Sequence, residues 1–121
     1  MKLGTVLIME DDLNLLSLLS RLLQSRGYAV NTATTLQEAR AHLARQHFDL
    51  FVCDMRMGDE CGVDLLKEYT WVLRCTHVVA MSAEEQYRRL CEDLGVEIFL
   101  SKPLIPTKFV QLAEKLVPTS Y

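Results

Sequence analysis

The feature that most constrains the fold is an alternation, repeated five times, of a short apolar run with a longer segment whose apolar residues recur at helical spacing. The runs are too short for helices, and residues 48–53 are mostly apolar on both faces, as a strand buried between two layers is. Alternating strands and helices form a parallel sheet that crossover helices cover on both sides. The sequence therefore predicts an α/β protein with a doubly wound, five-stranded parallel sheet and five helices.

Local signals set the predicted boundaries of these elements. Leucines from Leu13 to Leu23 recur at helical spacing and Gly27 ends the first helix, while Thr35 and Glu38 form a capping-box pattern that starts the second helix. The predicted helices span residues 12–26, 35–46, 63–69, 83–94 and 106–117. The predicted strands span residues 6–9, 28–33, 48–53, 76–81 and 96–100.

The size and charge of the chain narrow the classes of function. Its 121 residues are the usual length of one domain, and since no linker or low-complexity segment interrupts them, we expect residues 1–121 to be one complete domain. The net charge of −3, with lysine and arginine scattered, gives no reason to expect direct nucleic-acid binding. No apolar stretch approaches the roughly 20 residues that span a bilayer, and the amino terminus lacks the pattern of a signal peptide. We therefore expect a cytoplasmic protein without a membrane partner.

The four cysteines do not form a recognisable metal or redox motif. They contain no C-x-x-C pair and no spacing typical of a zinc site. Since cytosolic chains rarely keep disulfides, reduced and mostly buried thiols are expected. Three of them lie in or beside apolar patterns, whereas Cys61 lies in a predicted loop and could be exposed.

Polar side chains follow four of the five predicted strands, at the point where each strand ends. The acidic run that starts at Glu10 follows the first strand, Asp54 the third, Ser82 the fourth, and Lys102 the fifth. If the first and third strands are neighbours, their carboxyl ends meet at the crevice where open α/β sheets bind ligands. Carboxylate oxygens are the ligands that Mg²⁺ prefers, and a hydroxyl and an ammonium group suit a phosphoryl group. The residues at the strand ends therefore predict a site for Mg²⁺ and a phosphoryl group.

Each of these residues also has a purely structural interpretation. Acidic residues favour the first turn of a helix, which explains Asp12, and Ser82 could cap the predicted fourth helix. Lys102 could be an ordinary surface lysine. Asp54 is harder to explain in this way, because a carboxylate directly after a buried strand is unfavourable unless it is paired. An aspartate can also act as a nucleophile and form an acyl phosphate.

With these residues in this order, the chain resembles the receiver domains of two-component response regulators over nearly all of its length. The matching positions are the acidic pair Glu10 and Asp11, the aspartate Asp54, the pair Ser82-Ala83, the aromatic Phe99, and Lys102-Pro103. The resemblance implies a flavodoxin-like sheet of strand order 2-1-3-4-5. The chain departs from the family in the loop after Asp54, where Gly58 replaces a common proline and Cys61-Gly62 replaces Asp-Gly.

The resemblance also implies a role for each site residue. Asp54 would be the phospho-acceptor, assisted by Lys102 and Ser82. Mg²⁺ would be held by Asp11, Asp54, the backbone carbonyl of Arg56 and, through water, Glu10. The remaining implied roles are the switch residues Ser82 and Phe99, the cis peptide at Pro103, and the side chains of Arg56 and Glu84 at the border of the phosphoryl group.

The implied function is that of a stand-alone response regulator in two-component or phosphorelay signal transduction. A sensor histidine kinase or phosphotransfer protein would donate the phosphoryl group, and a downstream protein would bind the face of the fourth helix, fifth strand and fifth helix. Such a protein is a signalling protein, which catalyses only its own phosphorylation and dephosphorylation.

Two rival functions are weaker. A haloacid-dehalogenase-type phosphatase would carry its nucleophile after the first strand and its acidic pair last, whereas the acidic pair comes first here, and a cap domain would not fit in 121 residues. A phosphorylation-independent pseudo-receiver usually lacks one of the site residues, and none is missing from this sequence.

Overall fold

All strands of the main sheet run in the same direction. The computed structural model describes residues 4–119, except for the side chains of Val72 and Leu73. The sheet strands are β1 (Thr5–Met9), β2 (Ala29–Ala33), β3 (Leu50–Asp54), β4 (His77–Ser82) and β5 (Ile98–Ser101). Their order is β2-β1-β3-β4-β5. The predicted α/β class and the strand order 2-1-3-4-5 are therefore confirmed.

Helices cover both faces of this sheet. They are α1 (Leu13–Ser25), α2 (Leu36–Arg45), α3 (Gly62–Glu68), α4 (Gln86–Leu94) and α5 (Pro106–Leu116). Alternate residues of β1 enter two separate cores, with Val6 and Ile8 packed beneath α1 and α5, and Leu7 and Met9 packed beneath α2, α3 and α4. Because both faces are covered, the inner strands are apolar at nearly every position.

Side-chain caps fix the starts of the first two helices. The Asp12 carboxylate accepts hydrogen bonds from the backbone N–H groups of Asn14 and Leu15 at 3.0 and 3.3 Å, so Asp12 caps α1 as its sequence position suggested. Thr35 Oγ1 accepts a hydrogen bond from Glu38 N at 3.1 Å and caps α2. The reciprocal half of the predicted capping box differs, because Glu38 Oε1 accepts a hydrogen bond from the backbone N–H of Thr34, the residue before the N-cap Thr35.

The fourth helix starts later than predicted. The sequence indicated a start at residue 83, whereas α4 begins at Gln86 and its N-cap residue, Glu85, makes no side-chain capping bond. Ser82 remains in β4, and its hydroxyl accepts a hydrogen bond from Glu84 N at 2.9 Å in the loop that follows. Ser82 therefore orders the β4–α4 loop and does not cap α4.

Two short elements were not predicted. A hairpin pairs Arg56–Met57 with Glu60–Cys61 in antiparallel fashion, and a single helical turn spans Val72–Cys75. Gly58 is the first of the two hairpin loop residues and has a φ of +60°. A positive φ at that place is what a type II′ hairpin turn requires, and glycine adopts it without a steric penalty.

The four cysteines are free thiols in different environments. Cys53 and Cys91 are buried, Cys61 is half-buried and Cys75 is exposed. The expectation of a buried thiol was wrong for Cys75, which is exposed in the helical turn that sequence periodicity did not reveal. Within residues 4–119, no helix has both the length and the apolar character that crossing a membrane requires.

We expect these environments to set the order in which the thiols react with iodoacetamide at pH 8. Cys75 should react first and Cys61 more slowly. Burial raises the pKa of Cys91 to about 11 and that of Cys53 well above its usual value, so both should react only after unfolding. Peptide mapping of native and urea-unfolded protein measures this order, with Cys75→Ser as the control. Labelling of native Cys53 or Cys91 as fast as Cys75 would contradict the packing described above.

Candidate functional site

The centre of the site is an ionic cluster formed where β1, β3 and β5 end. Lys102 Nζ donates hydrogen bonds to Glu10 Oε1 at 2.6 Å and to Asp54 Oδ2 at 3.1 Å. The Glu10 side chain is fully buried and that of Asp54 is 3% exposed, whereas the Lys102 side chain is 22% exposed. Buried carboxylates are unfavourable without a partner. Two buried carboxylates therefore share one ammonium group.

A third carboxylate makes the cluster rich in negative charge. Glu10, Asp11 and Asp54 each offer an oxygen, and these oxygens lie within 4.8 Å of one another. Burial, together with the hydrogen bond and the charge of Asp54, raises the pKa of Glu10 to about 7, although Lys102 acts to lower it. Lys102 alone is therefore insufficient to neutralise the cluster. A set of carboxylate oxygens with excess negative charge fits Mg²⁺.

Asp11 is held between β1 and the hairpin. Its backbone N–H donates to Glu10 Oε2 at 3.0 Å, and its own Oδ2 accepts a hydrogen bond from Gly58 N at 3.0 Å. A proline at position 58, as the family commonly has, could not donate this bond. The departure noted in the sequence therefore adds a contact to the site, which the sequence alone did not indicate.

Gly62 allows α3 to begin directly against Asp54. A Cβ atom at Gly62 would overlap the Asp54 carbonyl oxygen and lie 3.1 Å from Cys53 Sγ. The Gly62 N–H also donates to Met55 O at 2.8 Å. The sequence indicates only that Gly62 is part of a loop, since the close approach of α3 to β3 has no signature in the sequence.

Ser82 and Lys102 are joined through the backbone at the neighbouring strand ends. Lys102 N donates to Ser82 O at 2.9 Å, and the Lys102–Pro103 peptide bond is cis. Ser82 is 2% exposed and lines the same cleft as Asp54 and Lys102. A hydroxyl and an ammonium group thus lie in one cleft with the carboxylates.

An ion pair lies at the border of this cleft. Arg56 Nη1 contacts Glu84 Oε1 at 2.6 Å, and both residues line the cleft that contains Asp54. The Arg56 N–H donates to Asp54 Oδ1 at 3.2 Å. The backbone of Arg56 therefore orients Asp54, and its side chain reaches across to the β4–α4 loop.

Phe99 does not line this cleft. It is half-buried on β5, and its ring centroid lies 4.7 Å from Arg88 Cζ. The structure thus brings seven predicted residues to one cleft region and leaves Phe99 on the side of α4. These seven are Glu10, Asp11, Asp54, Arg56, Ser82, Glu84 and Lys102.

Comparison with known proteins agrees with this geometry. The family model of the response regulator receiver domain matches residues 6–114. The alginate biosynthesis transcriptional regulatory protein AlgB of Pseudomonas aeruginosa is 30% identical over 116 residues, which cover 94% of this chain but only 26% of that protein. The chain therefore spans about a quarter of the length of this relative.

Solved structures show the same fold. A CheY-like receiver domain protein from Methanospirillum hungatei superposes with a TM-score of 0.86 at 24% identity, covering 95% of this chain and 94% of the other. TrrA from Thermotoga maritima, determined in complex with Mg²⁺-BeF, has a TM-score of 0.83 at 22% identity, covering 95% of this chain and all of the other. With its fold, its acidic cluster and the family match over residues 6–114, this chain belongs to the response regulator receiver domain family.

Proposed function

We propose that Asp54 accepts a phosphoryl group in a Mg²⁺-dependent reaction and that the chain signals through protein contacts. The observation that carries this proposal is the contact of one ammonium group, Lys102, with the two buried carboxylates of Glu10 and Asp54. The donor would be the phosphohistidine of a sensor histidine kinase or phosphotransfer protein. We place this exchange in the cytoplasm, where the ATP that forms the phosphohistidine is available.

The metal would be held by the chain's own oxygen ligands. Asp11 and Asp54 would bind directly, Glu10 through water, and the backbone carbonyl of Arg56 is the further ligand proposed. The close approach of the three carboxylate oxygens supports this set. A bound Mg²⁺ would neutralise charge on the phosphoryl oxygens during transfer. TrrA, which shares the fold, was determined with Mg²⁺-BeF.

The transfer itself needs a nucleophile and fixed positive charge. An Asp54 oxygen would form a bond to phosphorus as the phosphorus–nitrogen bond of the donor histidine breaks, which leaves the histidine neutral after it takes a proton. Lys102 would stabilise the phosphoryl oxygens electrostatically, and the Ser82 hydroxyl would donate a hydrogen bond to one of them. The protein would catalyse only this step and the later hydrolysis of its own acyl phosphate.

Signal output would follow from a shift of Ser82 and Phe99 towards the phosphoryl group. This shift would change the face of α4, β5 and α5, where a downstream protein would bind. AlgB is named as a transcriptional regulatory protein, but this chain matches only about a quarter of its length. We propose that this chain itself does not contact nucleic acid, since its lysine and arginine residues are scattered.

Replacement of the proposed phospho-acceptor tests the central step. Incubation with acetyl phosphate and Mg²⁺ should add one phosphoryl group to the wild-type protein, as read by intact mass. Asp54→Asn should abolish this gain because the amide is not a nucleophile of comparable strength. Asp59→Asn, which changes a carboxylate at the rim of the same cleft, should retain it. Undiminished labelling of Asp54→Asn would refute the assignment.

The acidic run provides a matched pair of variants for the metal. Asp11→Ala should weaken Mg²⁺ binding strongly and change stability little. Asp12→Ala should retain Mg²⁺ affinity but lower the free energy of unfolding by about 1 kcal/mol, because Asp12 caps α1. Calorimetric titration with Mg²⁺ and urea unfolding measure the two effects. Equal losses of Mg²⁺ affinity, or a larger loss for Asp12→Ala, would show that the metal ligands are assigned to the wrong residues.

The ion pair at the border of the cleft should lengthen the life of the phosphorylated protein. Arg56 is paired with Glu84 on the side from which we expect water to approach the acyl phosphate. Arg56→Asn removes this obstruction, and a barrier lower by about 1.4 kcal/mol would speed hydrolysis roughly tenfold. Dephosphorylation rates at the same Mg²⁺ concentration test this. Hydrolysis that is unchanged or slower in Arg56→Asn would show that Arg56 does not shield the phosphoryl group.

A further inference from the structure

Arg88 connects α4, the loop before it and β5. Its Nε and Nη2 atoms donate to the two carboxylate oxygens of Glu85 at 2.8 and 3.3 Å, and Nη2 also donates to Ser101 Oγ at 3.2 Å. Ser101 Oγ donates to Glu85 Oε1 at 2.8 Å, and the guanidinium carbon lies 4.7 Å from the centroid of the Phe99 ring. We call these four residues, Glu85, Arg88, Phe99 and Ser101, the Arg88 network.

The Arg88 network lies next to the phosphoryl-binding residues. Glu85 is in the loop that leaves Ser82, and Ser101 pairs with Ser82 across the sheet and directly precedes Lys102. The Arg88 and Ser101 hydrogen bonds lower the pKa of Glu85 to about 2, so Glu85 remains ionised at neutral pH. The network therefore links the loop that carries Ser82 to the strand that leads into Lys102.

A movement of Ser82 would disturb several of these contacts together. If Ser82 shifts towards a phosphoryl group on Asp54, the loop that contains Glu85 must move with it. Glu85 holds both Arg88 and Ser101, so its movement would withdraw the guanidinium from the Phe99 ring. Phe99 could then leave its present position on β5.

We propose that Arg88 is a positioning residue that holds Phe99 in its unphosphorylated position and thereby opposes phosphorylation of Asp54. This inference rests on the proposed function of Asp54 and on the proposed switching role of Phe99. Any contact made only in the unphosphorylated conformation shifts the equilibrium away from the phosphorylated one. Loss of an exposed cation–π contact with its hydrogen bonds should favour the phosphorylated conformation by about two- to fivefold.

The test compares two neighbouring arginines on the same helix. Arg88→Ala should be phosphorylated by acetyl phosphate and Mg²⁺ about two to five times faster than the wild type, as measured by intact mass over time. Arg89→Ala is the control, because the Arg89 guanidinium instead pairs with Asp93 at 3.2 Å and its side chain is 82% exposed. Its rate should equal that of the wild type. Arg88→Lys keeps the charge but loses the forked hydrogen bonds, so its phosphorylation rate should lie between those of the wild type and Arg88→Ala.

A second measurement follows the Phe99 ring directly. Protein labelled with fluorophenylalanine gives a ¹⁹F resonance for Phe99, assigned with Phe99→Leu. In Arg88→Ala without ligand, this resonance should shift towards its position in the wild type bound to Mg²⁺ and beryllofluoride, and in Arg89→Ala it should not. Circular dichroism checks that each variant is folded. If Arg88→Ala does not fold, Glu85→Gln replaces it, and this variant should shift the Phe99 resonance less but in the same direction.

The outcomes separate this inference from the proposed function. A wild-type protein that gains no phosphoryl group refutes the proposed function and this inference with it. A wild type that is labelled, with Arg88→Ala no faster than Arg89→Ala or with an unshifted Phe99 resonance, refutes the role of Arg88 alone. Where Glu85→Gln replaces Arg88→Ala, a rate no faster than that of Arg89→Ala, or an unshifted Phe99 resonance, likewise refutes the role of Arg88.

Discussion

The interaction on which the site depends is the contact of Lys102 with the buried carboxylates of Glu10 and Asp54. Glu10 directly follows β1 and Asp54 is the last residue of β3, and these neighbouring inner strands are covered on both faces, so the burial of the two carboxylates is a consequence of the fold. Buried charges without partners would oppose folding. The strand that brings Lys102 into the cluster therefore supports both the stability of the sheet edge and the chemistry proposed for it.

The loop after β3 shapes the entrance to this cluster. Gly58 and Gly62 occupy positions where a side chain would be strained or would overlap the Asp54 carbonyl. The resulting hairpin gives Asp11 a backbone donor and directs Arg56 towards Glu84. The two glycines thus determine where Asp11 and Arg56 lie. These contacts belong to the loop that departs from the family pattern, and they are the ones proposed to affect Mg²⁺ binding and the lifetime of the phosphorylated protein.

The sequence was sufficient for the sheet and for most of the site, because both depend on patterns that extend along the chain. Apolar periodicity indicated the strands and helices, and the resemblance to receiver domains implied the strand order. The residues at the predicted strand ends placed Asp54, Ser82 and Lys102 at one edge of the sheet. The hairpin and the helical turn Val72–Cys75 span too few residues to show a period. The contacts of Arg88 depend on how α4 packs against β5, which no local pattern specifies.

The most direct test of the account is chemical identification of the phosphorylated residue. Borohydride reduces an aspartyl phosphate to homoserine, and peptide mass spectrometry then locates that residue. After incubation with acetyl phosphate and Mg²⁺, we expect homoserine at position 54 and unmodified aspartate at every other position, with no homoserine when EDTA replaces Mg²⁺. Homoserine at Asp11 or Asp59, or its absence from a protein that has gained a phosphoryl group, would contradict the account.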